Sequence, residues 1–476
     1  MKTANRIFQY VLFVCLTMGG TFTDLHAKDD NVVKLTLHAR SVPKNPDERR
    51  LLPRELELRD GNAAIELLRM PWEKTNFIDL QRKEMNDWLK MKGDDPKLIK
   101  REEVFAEFKD KMRRAAYTRD ADWDYPLGEQ PMISILLPDV QGMRNFAGRV
   151  MSLWIRIQIA KGNLKAAEEG LLIQMACARH VSRTPFIVCH LVGNAIAEIG
   201  FEQFEDLIQH PNSENYYYAL SMLPITLGDY KTTVEVDTSI VRSSMPSLGT
   251  GDLPPVEDHR WISAFNELHE YYITTITSAK EVDLDALKQQ AQTAAKELPS
   301  LTGIAETEIE KMSDEEKATR WLLANFELIS GKYVAATQLP THQALQALVE
   351  LQKEIEKLNE KTAFQHVGEV PQGALISHFF DIHSVRAFVS CHRFSRNAKL
   401  LQIVEAIREY ASKNENSLPK SLSEIELHVP VDPFTNKPAE YELKDGVAVL
   451  RWPAIPGVKE NYVRVKSYQL KMADSK

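Results

Sequence analysis

Cysteine, basic runs and long apolar stretches are all scarce in this chain of 476 residues. Its four cysteines, Cys15, Cys177, Cys189 and Cys391, form no Cys-x-x-Cys pair, so dithiol redox chemistry has no local support. The longest basic clusters are pairs, such as Arg49-Arg50 and Arg113-Arg114, and the formal net charge is −8. A nucleic-acid partner needs a basic stripe to neutralise phosphates, which argues against that class. Beyond the first 27 residues no stretch offers the ~20 apolar residues that a membrane helix needs. A His-Glu-x-x-His zinc helix, a Gly-x-Ser-x-Gly elbow and a phosphate-binding loop are all missing. The expectation is therefore no cofactor and no metal.

What is present begins with an export signal. Lys2 and Arg6 precede an apolar run from Ile7 to Met18, and Ala27 stands before Lys28-Asp29-Asp30, so residues 1–27 read as a secretory signal peptide. Val14 occupies the place where a lipidation site at Cys15 wants a small residue. The chain reads as exported, periplasmic or extracellular, with no membrane span left after cleavage. Cys177, Cys189 and Cys391 then remain, and the expectation is three small buried groups on helix faces.

Composition is that of a globular protein, with 43% hydrophobic and 26% charged residues. The fold class expected is mainly α, an irregular or TPR-like helical-hairpin array carrying a small C-terminal α/β module. Residues 28–59 read as an extended segment with one strand, because Val33, Leu35 and Leu37 alternate with polar neighbours. Residues 60–245 read as a helical lobe and 256–372 as a second one, with the SSMPSLGTGDLPP run at Ser243–Pro255 as the boundary. Residues 373–476 read as a long helix and the β module.

Within the lobes, Gly162-Asn163-Leu164 with Ala167 resembles the turn of a tetratricopeptide hairpin, and Gly193/Gly200 and Gly331/Ala336 give partial repeats of it. Phe77, Leu80, Met85, Trp88 and Leu89 share one helical face. Leu348, Leu351, Ile355 and Leu358 make a heptad-like seam. Ser313/Glu316 and Ser421/Glu424 have capping-box spacing. In the tail, Lys444-Asp445-Gly446 between Glu440–Leu443 and Val447–Trp452 predicts a hairpin, and Tyr462–Tyr468 a third strand. Because a lone strand must pair, Val32–Arg40 is expected to join this sheet.

The run AKLLQIVEAIREYASKNENSLPKSLSEIELHVPVDPFTNKPAEYELKDGVAVLRW (398–452) resembles a segment of uncharacterised exported proteins of planctomycete-type bacteria. LLPRELELRDGNAAIELL, RRAAYTRDADWDYPL and LLPDVQGMRNFAGRVMSL extend that resemblance, which implies export and supplies no catalytic residues. The tail is also similar to the C-terminal part of type II secretion pseudopilins, where a Pro-x-Asp-Pro-aromatic turn leads from a helix into a small sheet; Pro430, Asp432, Pro433 and Phe434 match it. A pseudopilin carries its apolar helix directly before that module, whereas here some 370 residues intervene, so the resemblance implies a fold and not a pilus role.

Three constellations are candidates for chemistry. Asp120, Asp122 and Asp124 alternate as in a calcium loop, but Tyr125 and Pro131 stand where glycine and glutamate belong. His366, Glu369, His378, Asp381, His383 and His392 could assist a metal-dependent hydrolase. Tyr216-Tyr217-Tyr218 and Tyr271-Tyr272 could stack on sugars or peptides, or pack at helix ends. Asp432 reads as a turn residue, with calcium ligation the alternative. The leading functional expectation is a non-catalytic exported scaffold binding an envelope protein or peptide, with a metal-assisted hydrolase or a carbohydrate-binding protein as alternatives.

Overall fold

The computed structural model describes residues 32–73, 84–125, 138–268, 284–360, 385–458, 460–463 and 466–474. Among them, ten helices of nine residues or more are numbered along the chain: α1 Ala63–Glu73, α2 Glu102–Ala116, α3 Met151–Ala160, α4 Leu164–Ser182, α5 Ile187–Ile208, α6 Arg260–Leu268, α7 Leu284–Thr302, α8 Asp314–Thr337, α9 Thr341–Glu360 and α10 Val385–Lys413. The strands are β1 Val32–Leu37, β2 Arg59–Asn62, β3 Thr118–Asp120, β4 Glu440–Lys444, β5 Val447–Arg451 and β6 Ser467–Met472. The chain is thus mainly helical with a small β module. It divides into two compact units, one built from Lys28–Trp123, Leu137–Tyr230 and Val389–Lys476, the other centred on Lys231–Phe388. No described helix is long and apolar enough to cross a membrane.

In the first unit the β module is a four-stranded sheet of order β1-β6-β5-β4. As its alternation predicts, the N-terminal strand joins the tail: β1 runs parallel to β6, while β6–β5 and β5–β4 are antiparallel. Leu35, Leu470, Ala448 and Leu443 stand in one cross-strand row, and the first three are fully buried or nearly so. Asp445 and Gly446 turn the β4–β5 hairpin with positive φ (50° and 75°), the conformation that an Asp-Gly pair takes most easily. The third tail strand begins later than expected. Tyr462 lies in a short helical turn, Glu460–Val463, and pairing starts at Ser467.

Beneath the sheet, α10 is fastened by its buried charges. Arg408 and Glu405, both fully buried, form an ion pair at 2.9 Å. The remaining Arg408 donors go to the carbonyls of His38, Ser213 and Glu214. Glu405 accepts from the Tyr216 amide at 2.9 Å, and burial pushes its carboxyl above the usual range. One helix thereby holds the exit of β1 and the 213–216 loop. Tyr468 of β6 donates its hydroxyl to Glu205 of α5 at 2.6 Å.

The helical part of this unit contains the predicted hairpin. Gly162, at φ +74°, ends α3, and Ala167 of α4 is fully buried. Gly193 and Gly200 do not make a second one. Helix α5 runs through both, because Gly193 is a packing site: a Cβ there would lie 1.9 Å from Ser182 Oγ and 2.6 Å from the Ala178 carbonyl of α4. Gly331 likewise sits inside α8, on an exposed face with open space around it. A parallel β2–β3 pair, which the sequence pattern did not signal, precedes and follows α1 and α2.

The second unit is built on α6, α7, α8 and α9. Ser313 caps α8 by accepting from the Glu316 amide at 3.1 Å, but the Glu316 side chain turns inward to Arg320 (2.8 Å) and does not close the box. Arg320 lies 3.9 Å over the ring of Trp261 and donates to the Pro254 carbonyl, which ties the end of the Ser243–Pro255 stretch to this unit. Leu348, Leu351, Ile355 and Leu358 are all buried along α9.

Candidate functional site

A candidate site lies in the first unit, around Trp88. Residues 84–88 form a helical turn. Arg156 of α3 pins the chain just beyond that turn, donating through Nη1 to the carbonyls of Leu89 (2.9 Å) and Met91 (3.0 Å). Asp95 then caps the short helix Pro96–Ile99 by accepting from the Lys97 amide at 2.8 Å. The indole of Trp88 is 5% exposed, stands edge-on to Phe105 of α2 with ring centres 5.8 Å apart, and has the Arg101 guanidinium 5.5 Å from its ring centre.

Between these segments opens a recess of about 500 Å³. Trp88 and Met91 supply its apolar lining, and Lys97, Lys100 and Arg101 its cations. Glu84 and Asp87 also line it; Glu84 is 3.9 Å from Arg101. Neither Lys97 nor Lys100 has an ion-pair partner among the described residues. Trp88 is almost wholly covered, by Phe105 and Arg101 among others, so what the recess offers a partner is chiefly its charged rim, Lys97 and Lys100.

The residues singled out from sequence fall elsewhere. Asp432 is fully buried and paired at two points with Arg396, 3.0 and 2.9 Å. It also accepts from the Phe434 amide and the Thr435 hydroxyl. Its lone pairs are therefore spent on a turn and an arginine, which corrects the calcium alternative. Of the His366–His392 group, only His392 lies within the described residues; His366, Glu369, His378, Asp381 and His383 lie outside them, as does Tyr271-Tyr272. His392 and His190 flank the buried Tyr230 edge-on, with ring centres 4.8 and 5.7 Å from it. Burial, reinforced by His392 nearby, holds His190 down at about 4, so its imidazole is neutral. Among the described residues no group of three or more His, Cys, Asp or Glu is placed to hold a metal.

Asp120, Asp122 and Asp124 form no common site. Asp120 faces Arg183 at 3.9 Å, the Asp122 backbone pairs with the Asn62 amide side chain, and the loop is anchored by Trp123, whose Nε1 donates to the His180 carbonyl. Tyr216 and Tyr217 are buried, their hydroxyls donating to Glu168 and to the His428 carbonyl at 2.7 Å each, so this run packs and does not form a wall. Ser421 caps nothing; Glu424 accepts instead from the Lys420 amide. Cys177, Cys189 and Cys391 are buried and unbridged, and burial pushes the Cys177 thiol up to about 12.

The recess is the feature that the sequence pattern did not disclose. Trp88 and Met85 read as a core face, which they are; the available signal was the return of three cations, Lys97, Lys100 and Arg101, just after a Gly93…Pro96 break. Comparison with family models, with curated proteins and with solved structures found no match.

Proposed function

We propose that the protein is an exported, non-catalytic protein- or peptide-binding component of the cell envelope, and that it grips its partner at the Trp88 recess. The observation that carries this reading is the contrast in how charge is used. Deep in the first unit, Glu405–Arg408 and Arg396–Asp432 are closed on each other and on neighbouring carbonyls. These are ties of a rigid framework, not groups left poised for proton transfer. At the recess the reverse holds: among the described residues Lys97 and Lys100 have no ion-pair partner, and they line it together with Trp88 and Met91. A large aromatic with adjacent cations is the composition found where proteins hold partners. Stacked helices such as α3, α4 and α5 provide the stiff support that such a surface needs.

The test places a photo-crosslinking residue at position 97 of the full chain, in the native host, with position 288 of α7 as control. A discrete adduct of one envelope protein at 97, absent at 288, is the expected result. No adduct at 97, or the same adducts at both positions, overturns the reading.

A further inference from the structure

We infer that β4 is a docking edge and that a second copy of this chain pairs with it, β4 against β4 in antiparallel order, joining two four-stranded sheets into one across a two-fold axis. The two edges of the sheet are finished differently. At β1 the outward amide of Thr36 donates to the Gln209 side chain at 3.0 Å. The β4 edge is left open. Asp445-Gly446 is a two-residue turn, so Lys444 and Val447 close the hairpin as a hydrogen-bonded pair, and Glu442–Val449 and Glu440–Arg451 follow in the same phase. The N–H and C=O groups of Tyr441 and Leu443 therefore point away from β5. Among the described residues no hydrogen bond reaches any of them. Such a row is a template for pairing with another strand.

The pattern along β4 selects its own copy as the occupant. With Glu442 on the two-fold axis, Tyr441 of one copy faces Leu443 of the other, and each such pair exchanges both of its backbone hydrogen bonds. The axis repeats every pairing. On the exposed face Glu440 then stands opposite Lys444 of the second copy, and Lys444 opposite its Glu440. Opposite charges directly across an antiparallel pair stabilise it, and like charges do the reverse. Glu440 is already held on that face by Arg451, at 2.7 Å. On the core face, the row Leu35, Leu470, Ala448 and Leu443 ends at a half-buried Leu443, and Tyr441 of the second copy continues it. The Tyr441 ring is fixed in place by its hydroxyl, which donates to the Pro419 carbonyl at 2.7 Å. Sliding the register one way sets Glu440 against Glu442, and sliding it the other way sets Tyr441 against Asp445 of the turn. The register centred on Glu442 is thus the one specified, and its cost is the meeting of two Glu442 carboxylates at the axis.

Sedimentation equilibrium of the whole chain, purified from its host, tests this. The parent chain should show a concentration-dependent dimer. Lys444→Glu and Glu440→Lys each set like charges opposite one another at both ends of the paired strands, and each alone should weaken self-association at least about tenfold. Mixed together, the two variants are complementary, an all-acidic pair of strand ends meeting an all-basic one. The mixture should therefore recover a heterodimer about as strong as the parent, which also shows that both variants are folded. Glu442→Gln removes the like-charged pair at the axis and should tighten the dimer. A parent chain that stays monomeric at a concentration on the order of 0.1 mM overturns the inference. So does a dimer indifferent to these substitutions, a weaker dimer in Glu442→Gln, or a mixture that fails to recover although each variant keeps the parent's circular dichroism.

Discussion

Arg396 of α10 and Asp432 of the tail turn are bound to each other by two parallel hydrogen bonds, with 3% and 0% of their side chains exposed. The same guanidinium donates to the Pro453 carbonyl and lies over the Phe434 ring, and the Trp452 indole donates back to the Arg396 carbonyl. The turn is thus clamped to the helix from both ends of the β4–β5 hairpin.

Asp432→Ala leaves a buried guanidinium without its counter-ion, and such a change costs about 3–5 kcal/mol. The expected outcome in urea titrations of the full chain is a loss of that size. The double replacement Arg396→Met/Asp432→Leu removes both charges and should cost clearly less. If the single and double variants lose stability equally, the pair is not what fastens the turn.

Acid should weaken the protein through its buried histidines. Burial, with Arg179 and Arg183 nearby, holds His180 down at about 3, and His190 is held at about 4. In the unfolded chain both imidazoles take up protons near their ordinary value of ~6.5. The folded state binds fewer protons, so its stability is complete above that value and falls as pH drops from about 6.5 towards 4. Each site contributes on the order of 3 kcal/mol across the window. Chemical denaturation at pH 7, 6 and 5 measures the slope, which His190→Gln should reduce; an unchanged slope would show that His190 is not buried neutral.

Two glycines inside helices should respond with opposite sign. Gly193→Ala forces α5 away from Ser182 and the Ala178 carbonyl, an overpacking expected to cost about 1–3 kcal/mol. Gly331→Ala meets open space and should stabilise by about 0.5–1 kcal/mol through helix propensity. Thermal melts of the two variants distinguish them directly.

The pairing of β1 with β6 predicts that Leu35→Ala, at a buried position, costs about 2–5 kcal/mol. Lys34→Ala, one residue away on the opposite face of the strand, should stay within about 0.5 kcal/mol of the parent. Similar losses at both would contradict the register Leu35↔Leu470.

Much of the architecture was legible because it rests on local chemistry. Asp445-Gly446 can turn a hairpin regardless of context, Ser313 has an amide three residues away to receive, and the alternation through Val33, Leu35 and Leu37 demands a partner sheet. What was not legible depended on neighbours distant in sequence. A glycine in a helical pattern reads equally well as a stop or as a point of close approach; only the position of Ser182 decides for Gly193. Arg59-Asp60-Gly61-Asn62 has no apolar alternation, so β2 exists through its pairing alone. Tyr462–Tyr468 alternates along its whole length, and where the strand begins is set by the register with β5. The recess at Trp88 needed the 84–88 turn and the 96–101 segment brought together, and Arg156, which holds the 89–91 link from α3, is distant from both in sequence.

The sheet order β1-β6-β5-β4 puts the strand nearest the C-terminus between two others. During synthesis β4 and β5 can close their hairpin as soon as both have emerged. β1, made first, must wait with Leu35, Leu37 and its backbone donors and acceptors open until residues 467–472 arrive to sit beside it. For nearly the whole of translation the chain therefore carries an unpaired, adhesive strand, and a premature stop anywhere before Ser467 makes that state permanent while also stripping β5 of a neighbour. Closure of this sheet is a terminal event, and the long interval before it is when a holding chaperone would have something to hold.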